Sequence, residues 1–468
     1  MPARTDWAAW LAARRPAEML CFVLGVFLPF FLVSHIGAYH PGDVGSFLEW
    51  SRPPFGDVYS TSANYPIMGI LCSAGALRAL AALFHPVDNS AHIQLLRHFL
   101  AAFEVIQFLL LGSLARSMGM RRPWLAALVV RLVPSSWVGG AVWAQIDGVT
   151  QVFLLGSLAA CARAWQSTRL NRFRPAIAWL SVACLSSFLS LLTKQLAVFS
   201  MPWLCLGLLI CSAYVMQRWR WRGLVGVVVA LVVALVVAGV IDQILFVPDG
   251  FHGSSLLYAW GDRGNVNHEG KIAGNGFNLW VLLGRDMWSS SSVPFFTWDL
   301  GARTIAFRPL GTGHALFLAA SALLLWLFVR AQPNWWGRIP RLADVDLGRL
   351  LTTLVFAVGL QNLALCVFLS GTHERYLYHG YFFLILAVLR LWDARRASGA
   401  TLFAVLAAGT CYGGFVYAIM SSLPDVFFIV RRHEFQASLH LFLFFALAYV
   451  FWIAGRALPR PARSLTSQ

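Results

Sequence analysis

Charged side chains are scarce in this chain. Asp, Glu, Lys and Arg make up 12% of its 468 residues, against 59% apolar, whereas a soluble domain is closer to a quarter charged and half apolar. That excludes an ordinary soluble enzyme and a disordered chain. Lysine is scarcer still: only Lys194 and Lys271 stand among 36 basic residues. The eight cysteines include no CxxC pair, so neither a zinc site nor a disulfide framework is indicated, and they read as small packing residues. HExxH and the P-loop spacing are absent too, which removes two common metal and phosphate motifs. No internal repeat is visible, which weakens a transporter built from inverted repeats. No small-residue cleavage site follows the basic and then apolar N-terminus, so this stretch reads as a retained first helix.

What the chain has instead is apolar runs of membrane-crossing length, about 20 residues each. They predict spans near 19–36, 96–115, 124–141, 149–165, 176–192, 196–216, 223–246, 313–329, 350–370, 379–389, 400–420 and 436–455. The expected fold is an all-α polytopic membrane protein, a single unit over 1–468 with about twelve transmembrane helices. The segment 65–84 is apolar but carries Arg78, and reads as a re-entrant or interfacial helix.

The net charge of +16 is explained by topology. With the N-terminus inside, the inner stretches 1–18, 116–123, 166–175, 217–222, 330–349, 390–397 and 456–468 hold 22 of the 36 basic residues and 5 of the 20 acidic ones. That is the positive-inside pattern. It leaves no basic surplus for nucleic acid, makes both termini cytoplasmic, and with the arginine-rich composition favours a bacterial inner membrane. The two long polar segments, 37–95 and 247–312, then both fall outside, where long loops tend to carry function.

Candidate chemistry concentrates at that outer boundary. Asp43 lies just past the first helix, where a carboxylate can act as a general base or cap an interfacial helix. Glu49 and Asp57 follow it. Arg97 and Glu104, seven residues apart, share one face of the second span, and with Arg131 and Asp242 they are the charges nearest mid-membrane. Asp147 sits at a span boundary with Gln145 and Gln151 nearby, as pocket lining or helix cap. Lys194, the only lysine within a helical hairpin, suits a lipid phosphate or else snorkels to the interface. The segment SGTHERYLYH places His373, Glu374, Arg375, Tyr376, Tyr378 and His379 between two spans. Arg375 can fork onto a phosphate, His373 can donate to the same anion, and Glu374 can orient Arg375 or Arg97. No metal is expected there, since HxE is not a zinc motif.

Six segments in order carry a family resemblance: Asp43, the Tyr65–Pro66 step, WAQID (143–147), TKQ (193–195), NGFNLW (275–280) and HERYL (373–377). Together they resemble the GT-C integral-membrane glycosyltransferases, in particular bacterial mannosyltransferases related to the second GPI mannosyltransferase. TKQ and HER are also similar to segments of dolichyl-phosphate-glucose-dependent glucosyltransferases. The resemblance implies a GT-C-like bundle with an outer-face site and an inverting transfer of a hexose, mannose foremost. The donor would be a polyprenyl-phosphate-linked sugar, and the acceptor a hydroxyl of an unidentified glycan, lipid or protein. No cofactor is implied. Asp43 takes the general-base position; His373 and Arg375, with Lys194, match the donor-phosphate side. Glu374, Asp147, Gln145, Tyr65, Arg97, Glu104, Asn275, Asn278 and Tyr376 are the supporting set. The chain departs from the pattern in Asn64, where Asp usually precedes the YP step, in YPI for YPP, and in Gly45, which leaves no second acidic residue two after Asp43. The alternative is a transporter or flippase of a lipid-linked or polar substrate, which would place charges near mid-membrane.

Overall fold

The computed structural model describes residues 16–37, 41–53, 58–59, 63–245, 253–259, 270–274, 276–300, 303–332, 345–373, 375–421 and 432–457. Asp57, Asn275, Glu374 and both termini lie outside the described residues, as does the side chain of Asp43.

The chain is a helical membrane bundle. Ten helices among the described residues are long and apolar enough to cross a bilayer. In chain order the elements are α1 (Pro16–His35), α2 (Pro41–Ser51), α3 (the helical run Ile67–Phe84), α4 (Asn89–Ser117), α5 (Pro123–Leu132), α6 (Asp147–Arg169), α7 (Phe173–Thr193), α8 (Met201–Trp219) and α9 (Trp221–Leu245). They continue with α10 (Pro309–Ala331), α11 (Leu347–Phe368), α12 (Tyr378–Asp393), α13 (Gly399–Ser421) and α14 (His433–Ala457). Among the described residues there are also four short strands, β1 (Ala273–Gly274), β2 (Phe296–Asp299), β3 (Thr304–Phe307) and β4 (Thr372–His373), and one-turn helices at Ser255–Tyr258 and Leu279–Leu282. All eight cysteines are free thiols.

Burial sorts the helices. α11 is largely apolar and buried along its whole spanning window, as expected of a helix at the centre of a bundle. α9, a valine-rich run, exposes Val225, Val228, Val229, Val232 and Val236. Only 22% of its window is buried. In a membrane protein such a surface faces lipid, which is as apolar as the side chains it meets.

The two ends of the bundle differ in kind. At one end the short turns interlock through arginines and caps. Arg218 Nε donates to Asn171 Oδ1 at 3.1 Å and Arg390 Nε to Met118 O at 2.6 Å. Trp124 N donates to Glu18 Oε2 at 3.1 Å, and Asp346 Oδ1 caps α11 through Gly348 N at 2.9 Å. The opposite end carries the start of α6, the end of α7, the end of α11 and the start of α12.

One expected span takes an unexpected form. The stretch 124–141 is not one helix. α5 stops at Leu132, and the chain continues through tight turns at Pro134–Ser136 and Val138–Val142. Pro134 lacks an N–H and holds Val133 extended (φ −74°, ψ 126°). Gly140 then takes a non-helical conformation (φ −108°, ψ −121°). α3 is helical throughout, and long enough to span. Its first turn packs Gly69 on the Thr193 carbonyl, at the end of α7. Its Leu77 carbonyl is 2.7 Å from His92 Nε2 in the first turns of α4. α4 is about 43 Å long at 1.5 Å per residue, and its residues Gln94 and Arg97 bond the last carbonyls of α1. Gly69 and Leu77 of α3 thus contact the end of α7 and the start of α4, and by length and composition the helix is also a candidate span.

Candidate functional site

The site is built where α6 begins. After the broken stretch the chain turns through Ala144, left-handed at φ 64°, and α6 starts at Asp147. A helix N-terminus favours a carboxylate, yet the Asp147 side chain caps nothing. Instead both its oxygens accept from Lys194 Nζ, each at 2.7 Å. His379 Nε2, in the first turn of α12, lies 3.3 Å from the same carboxylate. Asp147, Lys194 and His379 are 0%, 3% and 1% exposed. Lys194 reaches inward because it stands in extended conformation (φ −152°, ψ 130°) between α7 and a short helical turn at Gln195–Ser200. It therefore does not snorkel. A buried carboxylate is tolerable only when matched in charge and geometry, and Lys194 provides that match.

Further groups close around the pair. His379 Nδ1 is 2.9 Å from Gln151 Oε1, one turn along α6 from Asp147. Tyr65 O–H donates to Gln145 Oε1 at 3.3 Å, and Lys194 Nζ stands 5.7 Å from the Tyr65 ring centre, within cation–π range. Arg375 stacks over Trp143 at 6.0 Å and lies within electrostatic range of Asp147. His373, Arg375 and Tyr376 are half-buried, more exposed than Asp147, Lys194 and His379. Gln145 Nε2, Gln151 Nε2 and Gln195 Oε1 are buried polar atoms with no hydrogen-bond partner, free to meet hydroxyls.

The loop segments are stitched to this cluster. β1 pairs in parallel with β4, Ala273 opposite Thr372 and Gly274 opposite His373. Asn278 Nδ2 donates to Ile272 O at 2.8 Å and Leu369 O at 3.1 Å, while its Oδ1 accepts from Trp280 N and Val281 N. Trp280 Nε1 donates to Phe368 O at 2.9 Å. Gly276 lies so close to the Thr372 carbonyl that a Cβ would collide with it. Asn278 thus ties the Phe277–Trp280 stretch to Leu369 and Thr372, just before His373. On the other side, Phe47 and Trp50 of α2 pack on Tyr65 with ring centres 6.0 and 5.6 Å away. Asp43 is the third residue of α2, one turn before Phe47. Tyr59 O–H donates to Tyr65 O at 3.0 Å. Burial, with the Asp242 carboxylate nearby, pushes the Tyr59 phenol well above its ordinary range, so it stays a donor.

Arg97 and Glu104 do not act together. Arg97 bonds Ile36 O and Gln94 Oε1, pinning α4 to the end of α1. Glu104 forms a buried ion pair with Arg131 of α5 and accepts from Ala141 N at 2.8 Å. Gln107 bridges Arg131 Nη1 at 3.0 Å and Gly148 O at 2.7 Å, 3.4 Å from the Tyr378 hydroxyl. This second network braces the broken stretch that delivers Gln145 and Asp147. Asp242 accepts from Ser255 N at 3.0 Å, and Ser255 Oγ accepts from Ile67 N at 2.9 Å, so it ties α9 to the start of α3. Glu49 is exposed. Gln107 is the residue of this network that no sequence motif marks. Gln107, a lone amide in an apolar span, is the kind of residue that marks a polar interior. Among the described residues no three His, Cys, Asp or Glu side chains converge as a metal would need.

The chain matches no family model, no curated protein and no solved structure.

Proposed function

We propose that this chain transfers a hexose, mannose foremost, from a polyprenyl-phosphate-linked donor to an acceptor hydroxyl at the outer face of a bacterial inner membrane, with inversion. One observation supports it above others. Tyr65, WAQID, TKQ and the HERYL–His379 stretch, far apart in sequence, meet around one buried carboxylate–ammonium pair at the end of the bundle opposite the arginine-rich turns. The positive-inside rule assigns those turns to the cytoplasm, so the cluster faces outward.

The chemistry follows from charge. A leaving lipid phosphate takes the electron pair of the breaking anomeric C–O bond and needs fixed cationic donors. In this reading Arg375, half-buried and within electrostatic range of Asp147, takes that role with His373 two residues before it. Lys194 contributes from within its pair with Asp147, which leaves Arg375 as the principal phosphate ligand. The acceptor hydroxyl attacks the anomeric carbon as Asp43 takes its proton. The unpartnered amide atoms of Gln145, Gln151 and Gln195 suit sugar hydroxyls.

The test is sugar transfer by the purified chain in liposomes, offered polyprenyl-phosphate mannose or glucose and a broad acceptor mixture. Transfer that requires the lipid-linked donor and is lost in both Asp43→Asn and Arg375→Ala is expected. Full activity in Asp43→Asn would move the base to Glu49 or Asp57, because Asp147 is held by Lys194. Movement of labelled lipid across the bilayer without sugar transfer would replace the enzyme with a flippase.

A further inference from the structure

The segment between β1 and α10 carries a surface that neither the bundle nor the site uses. β2 and β3 form an antiparallel hairpin in which Phe296 faces Phe307, Thr297 faces Ala306, Trp298 faces Ile305 and Asp299 faces Thr304. Side chains alternate across a strand, and directly paired residues share a face. One face is therefore Phe296, Trp298, Ile305 and Phe307, and the other Thr297, Asp299, Thr304 and Ala306. The Phe296 and Phe307 rings meet at 5.7 Å, which confirms the shared face. That apolar face is open: Phe296 and Trp298 are each 53% exposed and Ile305 43%. A two-stranded hairpin is marginal in water by itself, and one with an open aromatic face needs a partner.

The hairpin runs directly into a lipid-facing helix. Only Arg308 separates Phe307 from Pro309, the first residue of α10. Leu310, Leu318 and Leu325, at intervals of about two turns, form an exposed apolar stripe along α10, joined by Trp326. Leu310 N donates to Ser291 O at 3.1 Å, which holds the exposed Trp288 and Val293 beside the same helix start. Arg303 and Arg308 are exposed at the two ends of β3. Tryptophan and other aromatic rings favour the headgroup level of a bilayer, and arginines there meet lipid phosphates.

We propose that the β2–β3 hairpin lies in the headgroup zone of the bilayer, with the face bearing Phe296, Trp298, Ile305 and Phe307 turned to lipid. Its partner is the phospholipid surface at the site end of the bundle, continuous with the lipid that covers α10. This requires only that the chain spans a membrane, and it stands whether or not the chain transfers sugar.

The experiment places a photo-crosslinking p-benzoylphenylalanine at Trp298 or at Thr297 in the full chain. Each protein is reconstituted in nanodiscs of phosphatidylethanolamine and phosphatidylglycerol, illuminated, and analysed for lipid adducts. Position 298 is expected to yield several-fold more lipid adduct than position 297, its neighbour on the opposite face. Equal labelling at the two positions, or adducts from 298 to a second copy of the chain in place of lipid, would overturn the proposal. Ile305 and Thr304 form an independent pair for the same comparison on β3, should either first variant fail to fold.

Discussion

A carboxylate with no exposed surface is a liability unless a cation sits on it, and Asp147 has Lys194 on both oxygens. Removing one partner of such a pair strands the other, at a cost of about 3–5 kcal/mol. Lys194→Met and Asp147→Asn are each expected to destabilise the protein by that order. The double variant should cost less than the sum, because it strands no charge. Thermal unfolding in detergent or lipid reads all three, and strict additivity would show that the two side chains act separately. Both residues stand out in the sequence, one as the sole lysine in a helical hairpin and the other as an acid in an apolar context. Their partnership does not, because it joins residues 47 apart through the packing of α6 on α7. Arg97 and Glu104 teach the converse. Helical spacing puts them on one face, but Glu104 finds its cation on α5, at Arg131, and Arg97 finds carbonyls. Periodicity gives direction along one helix and nothing about which neighbour stands opposite.

Elements place these side chains, and the short ones do so most sharply. β1 and β4 have two residues each, yet their pairing sets the chain that leads into Phe277–Trp280 against Thr372 and His373. Gly276 makes that approach possible. Gly276→Ala sets a methyl against the Thr372 carbonyl, and overpacking of this kind costs about 1–3 kcal/mol. Gly311→Ala, in the first turn of α10 with nothing within 4 Å, is the control and should be neutral or slightly stabilising. Comparing the two by thermal unfolding and by transfer activity tests whether the strand contact holds Arg375 in place; equal behaviour would show that it does not. The long helices were legible from apolar runs, α1, α7 to α11, α13 and α14 nearly to their ends. The interruption of α5 was not, since Val133, Val138 and Val142 extend the apolar run straight through Pro134. Strand pairs of two residues have no periodicity to read, and so β1 and β4 had no signature either.

The whole molecule has two chemically distinct ends, and their assignment to the two sides of a membrane is open to direct measurement. Ser398 is exposed in the turn between α12 and α13, and Ser292 is exposed just before the hairpin. In right-side-out vesicles a membrane-impermeant maleimide should label Ser292→Cys and spare Ser398→Cys, and inverted vesicles should reverse this. The opposite pattern would put the arginine-rich turns outside and withdraw the outward-facing site. The charge pattern states that expectation from the sequence alone, while the interior network of Glu104, Gln107 and Arg131 required the tertiary structure. The broken α5 also bears on how the protein is made. Alone in hydrocarbon, this segment would bring Arg131, at about 2.5–3.5 kcal/mol on insertion scales, together with backbone groups past Pro134 that lipid cannot satisfy. Its remedies lie on α4, where Glu104 takes both the guanidinium and the Ala141 N–H. α4 precedes α5 in the chain, so these partners are already made when α5 is synthesised. Both sides of that pairing precede α7 in the chain, so this part of the seat of Asp147 needs nothing from Lys194.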